Sequence, residues 1–96
     1  MIVPAHLDGA KVIMYVDNDV NRPIAKMLYE EDNGSSKEII ITGLALAKYE
    51  NSNDYYLFLC DKNWEVYQDF DMGSIEEALH SSIASFELNK SDWKYV

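Results

Sequence analysis

The residues of this chain whose types could do chemistry are few and widely spaced. His6, His80 and Cys60 are its two histidines and its cysteine. Zinc sites need short paired spacings such as C-x2-C or H-x3-H, and these three residues offer none. Cys60 ends the hydrophobic run YYLFLC, 55–60, where a small core residue is expected rather than a nucleophile. The loop DNDVNR, 17–22, sets Asp17, Asp19 and Asn21 at the first, third and fifth positions of a calcium loop. Arg22 then stands where Gly must turn the chain, and Leu28 stands where a bidentate Glu belongs, which excludes an EF-hand. There is no P-loop, no G-x-G-x-x-G and no G-x-S-x-G. Carboxylate pairs such as Asp69 with Asp71, or Glu30 with Glu31, arise by composition when 17 of 96 residues are acidic, so they have little weight as general acid and base. No catalytic residue, metal or cofactor is expected, and the chain does not read as an enzyme.

Recognition chemistry is better supplied. Seven Tyr, two Trp and three Phe are many for 96 residues. Tyr49, Trp64 and Tyr67 lie in sequence beside Glu50, Asp54, Asp61, Glu65, Asp69 and Asp71. Protein interfaces concentrate their energy in Tyr and Trp anchors with a polar rim, and acidic neighbours select a basic partner. These nine residues form the expected partner-binding set. Most of the other aromatics are expected in the core, as β-sheets favour.

The elements that must position them follow from patterning. AKVIMYV, 10–16, reads as a first strand and DNDVNRP as its loop. IAKMLYEE, 24–31, fits a strand facing two ways or one helical turn, and its short length between turn signals favours the strand. DNGSSK turns the chain into KEIIITGLALAKYE, a long apolar strand with a bulge or bend at Gly43. Tyr55 to Cys60 and Trp64 to Phe70 make an antiparallel hairpin about Asp61-Lys62-Asn63. Ser74 and Glu77 have the spacing of a capping box. Ile75, Ala78, Leu79, Ser82, Ile83 and Phe86 then mark one apolar face of a helix, and Trp93 and Tyr95 are expected to fold back on the body. About five strands followed by one amphipathic helix give an α+β fold, an antiparallel sheet with the helix on one face. The strand 55–60 is apolar on both sides, so the sheet either curls on itself or offers its second face to another molecule.

Length and charge set the remaining bounds. Ninety-six residues suit a single domain. The longest apolar run, IIITGLALA, is about half a membrane span, and MIVPAHLDGAK does not read as a secretory signal. A lone cysteine agrees with a reducing compartment, so the cytoplasm is expected. A formal net charge of -9 disfavours direct contact with nucleic acid or anionic membrane and favours a basic partner.

The stretch DYYLFLCDKNWEVYQDFDMGSIEEAL, 54–79, resembles small acidic bacterial immunity proteins of polymorphic toxin and contact-dependent inhibition systems. Its matching features are Y-Y-L-F-x-C-D, a turn into N-W-E-V, an acidic stretch, and S-I-E-E-A opening a helix. LDGAKVIMYV, 7–16, resembles the first strand of the same group, whereas residues 17–53 have no counterpart. The resemblance implies a cytoplasmic inhibitor that binds a cognate toxin domain, a nuclease among the options, and blocks its active site or its access to substrate. The alternative is a small homodimeric interaction module without catalytic activity.

Overall fold

Asp8 and Gly9 both have positive φ, 49° and 86°, the conformation that a two-residue hairpin turn demands and that Asp-Gly readily adopts. They join a short β1 (His6–Leu7) to β2 (Ala10–Asp17) in the computed structural model, which describes residues 3–96. Then follow β3 (Ala25–Glu30), β4 (Ser36–Ile41), β5 (Gly43–Lys48), β6 (Tyr55–Cys60), β7 (Val66–Met72), the helix α1 (Ile75–Phe86), a 3-10 turn at Lys90–Asp92 and β8 (Lys94–Tyr95). The main sheet runs β1-β2-β5-β6-β7, with β8 also on β2, and all pairs are antiparallel. β3 and β4 form a separate two-stranded ribbon. The chain is therefore α+β, a curled antiparallel sheet with one C-terminal helix packed against it.

The apolar stretch 37–50 is interrupted at Thr42, which separates β4 from β5. Asn18 N–H donates to the Thr42 carbonyl at 2.8 Å and Ile24 N–H to the Ile41 carbonyl at 2.8 Å, so residues 19–23 loop out opposite the break. In that loop the Asp19 carboxylate accepts from the N–H groups of Asn21 and Arg22. The expected break at Gly43 falls one residue earlier, at Thr42; Gly43 itself is the first residue of β5, paired regularly with Asp17 and Cys60. A Cβ on Gly43 would stand 2.7 Å from the Trp64 ring, so the indole packs directly over the bare backbone.

Both faces of the sheet are covered, which answers the two-sided pattern of β6. On the helix side Met14, Val16, Ile41, Leu44, Leu46, Leu57 and Leu59 pack with Ala78, Leu88 and Trp93. On the other side Phe58 and Cys60 pack with Val12, Ala45, Ala47, Trp64, and Val3 and Leu7 of the N-terminal segment. Small residues on β5 leave room there for the indole. A bulge at Ile13, where the register passes from Val12 opposite Ala47 to Met14 opposite Leu46, lets one strand feed both clusters, because an extra residue reverses the alternation.

Ser74 caps the helix, its Oγ accepting from Glu77 N–H at 3.0 Å. The Glu77 carboxylate reaches back one residue further than the expected capping box, to Gly73 N–H instead of Ser74 N–H. Two expectations about the C-terminal part need correction. Ile83 is 38% exposed, so the apolar face is narrower than its spacing suggests. Trp93 does fold back, its indole N–H donating to the buried Ser82 Oγ at 3.0 Å, but the Tyr95 side chain is 73% exposed while its backbone pairs with Met14.

Candidate functional site

The β6–β7 register sets Tyr56 opposite Asp71 and Phe58 opposite Asp69, on the face away from the helix. β7 is the last strand of the main sheet, so these two carboxylates line a free edge. Tyr49 leaves the end of β5 and lays its ring edge-on to Tyr56, with centroids 5.2 Å apart and planes at 77°. Its hydroxyl donates to the Asp8 carbonyl at 3.0 Å, which holds the ring in place. Tyr56 in turn stacks on Phe58. Asp54 approaches from the loop before β6, where its N–H is held by Ser52 Oγ at 3.0 Å.

The electrostatics of this cluster register on Tyr56. Its phenol is pushed above the usual tyrosine range, first by the Asp71 charge, then by burial, then by Asp54, Tyr49 and Asp69. Placing a phenolate among these carboxylates is unfavourable, and by the same field a cation there is favoured. A guanidinium or ammonium group could meet carboxylate oxygens at the edge and an aromatic face beside them.

The nine residues expected to bind a partner therefore separate. Tyr49, Asp54, Asp69 and Asp71 come together around Tyr56. Asp61, Glu65 and Tyr67 lie at the other end of the hairpin, about 17 Å away for a six-residue strand. There Asp61 organises the turn, its carboxylate accepting from Asn63 and Glu65 N–H groups, each at 2.9 Å. Tyr67 is the extra residue of a bulge, since the register passes from Leu59 opposite Gln68 to Cys60 opposite Val66. Its hydroxyl donates to Glu65 at 3.3 Å, and its phenol is pushed up by burial first and then by Glu65 and Asp61. Trp64 is only 4% exposed, which withdraws it from any surface: its backbone is left-handed, φ 63°, and its ring covers Gly43. Cys60 is buried and its thiol is pushed up to about 12, by burial first.

Glu50 stands apart, on the rim of an open groove of about 710 Å³. That groove is bordered by His6, Lys11 and Lys48, which stand in one cross-strand row, His6 opposite Lys11 and Lys11 opposite Lys48. Lys48 continues the row over the Tyr55 ring, 5.9 Å from its centroid. Directly opposed like charges disfavour strand pairing, and a basic row is unexpected in a chain of net charge -9. Neither this row nor Tyr56 could be singled out from sequence, because both depend on register across strands distant in the chain. Comparison with known proteins gives no match to a family model, to a curated protein or to a solved structure.

Proposed function

We propose that the protein is an immunity protein that binds a cognate bacterial toxin domain in the cytoplasm and blocks its active site or its access to substrate. The observation that carries this reading is the ring of Asp54, Asp69 and Asp71 around Tyr56, beside Tyr49, at a free sheet edge. A toxin that acts on nucleic acid presents a basic cleft, and an acidic aromatic surface can occupy such a cleft in place of phosphate. The resemblance over 54–79 and 7–16 supports the same reading. The area required is modest, since a standard interface takes about 800 Å² per partner and the protein exposes 6255 Å².

The test is neutralisation. The tagged wild-type protein and a D69K/D71K variant are used to capture partners from the native host, and the captured protein's C-terminal domain is then expressed alone and with each. The expected result is a basic domain, toxic by itself, that the wild type neutralises and the variant neutralises poorly, with wild-type association slowing as salt rises. Recovery of no toxic partner, or neutralisation indifferent to the two reversals, would remove the proposal.

A further inference from the structure

β3 forms the outer rail of the two-stranded ribbon, and β4 is its strand partner. A two-stranded ribbon is marginal in water, and a free edge is a template for another strand. The β4 flank is not open in the same way: Asp61, Lys62 and Tyr67 stand across a groove of about 240 Å³ from Lys37 and Ile39. On the β3 side Leu28 is 78% exposed and Tyr29 54%, and no proline or bulge guards the strand.

Charge order then decides what can lie on each edge. On β7, a second copy placed antiparallel about Phe70 would set Asp69 opposite Asp71 twice, like charge against like, and such pairs disfavour pairing. The β3 sequence Ala25-Lys26-Met27-Leu28-Tyr29-Glu30 behaves differently. A two-fold axis at Leu28 sets Lys26 of one copy opposite Glu30 of the other, and the reverse, on the face where Leu28 meets Leu28. On the opposite face Met27 meets Tyr29. The strand is thus complementary to itself in charge and in apolar contact, as an isologous interface requires.

We propose that the protein forms a two-fold homodimer in which β3 pairs antiparallel with β3 of a second copy, centred on Leu28. The two ribbons become one four-stranded sheet, β4-β3-β3-β4, and the exposed leucines are covered. This inference is independent of the proposed function, because the acidic cluster is built from β6, β7 and the 49–54 connection, with no residue on the ribbon.

The experiment is sedimentation equilibrium of the full chain over a wide concentration range, for the wild type, K26E, E30K and K26E/E30K. Each single reversal changes both symmetry-related pairs to like charges and should weaken association roughly tenfold or more. The double variant restores opposite pairs and should return close to the wild-type affinity, and a mixture of K26E with E30K should form the heterodimer in preference to either homodimer. Both substitution sites, Lys26 and Glu30, are exposed on the ribbon, so circular dichroism should report an unchanged fold. A wild type that stays monomeric at the highest concentration overturns the proposal, as does a dimer indifferent to the single reversals or one that the double variant fails to restore.

Discussion

Replacing Ser82 by Ala should destabilise the protein far more than removal of one hydroxyl from a helix suggests. Ser82 Oγ donates to the Leu79 carbonyl at 2.8 Å and accepts from the Trp93 indole at 3.0 Å, in a site where Ser82 is fully buried and Trp93 is 6% exposed. In S82A the indole N–H is left buried without its acceptor, a cost of about 1–3 kcal/mol. Alanine's better helix propensity returns at most about 0.7 kcal/mol. A net loss of about 1–2 kcal/mol is expected, or roughly 5–15 °C in melting temperature for a domain of this size. The converse change is asymmetric. W93F removes the donor but leaves Ser82 bonded to Leu79, so the cost there is lost packing alone. Once the indole is gone, S82A should cost close to nothing, giving a coupling of about 1–2 kcal/mol between the two sites. Urea denaturation followed by far-ultraviolet circular dichroism on the four proteins of the cycle measures it. If S82A costs the same with Trp93 and with Phe at that position, the hydrogen bond does not hold the C-terminal segment and the reasoning fails.

Gly43→Ala should cost about 1–2 kcal/mol, because the new Cβ meets the Trp64 ring at 2.7 and 2.9 Å and overpacking of about that size outweighs the loss of glycine's unfolded-state freedom. In a W64F background the penalty should shrink, and chemical denaturation of the pair checks it. Cys60 should resist a thiol reagent at about pH 8 in the folded protein and react once urea unfolds it. Burial pushes its pKa up to about 12 in the folded protein, from an ordinary 9.0, so the neutral thiol's contribution to stability is complete below about 9 and is lost as pH rises from there toward 12. Alkaline unfolding of wild type and C60A, compared over that window, should show the variant with the shallower decline.

Where the fold was legible in the sequence, local physics fixed it. The continuous apolar run of 55–60 and the polar residues at 61–63 specify a hairpin, although its return strand begins at Val66 and not at Trp64, and Ser74 with Glu77 specifies a helix start, because the competing groups lie within a few residues. The same reasoning placed Trp93 in the body. It failed on Trp64: nothing local says that an aromatic after a polar turn will adopt a left-handed backbone and lie across Gly43, 21 positions earlier. β1 is not legible even though Asp8-Gly9 is a strong hairpin signal, since its two residues give too little periodicity to read. The candidate site divides in the same manner. Acid and aromatic residues could be collected by neighbourhood, but Tyr56 emerged as their centre only when the register set it opposite Asp71.

The edges of the sheets decide what this fold can meet. The outer side of β2 is occupied by the two terminal segments, with Val12 N–H bonded to the Ala5 carbonyl and Val96 N–H bonded to the Ile13 carbonyl. Among the described residues β7 and β3 have no such backbone cover on their outer sides, and they differ in the one property that a bare backbone ladder lacks, which is sign. Two aspartates two residues apart make β7 repel its own copy and attract a basic segment. Lys26 and Glu30, four residues apart about Leu28, make β3 attract its own copy. Backbone pairing alone would accept any strand at either edge, so the side chains next to it select the partner. A protein with both edges as they stand can associate with itself through the ribbon while the acidic edge of the main sheet stays free for a cationic partner.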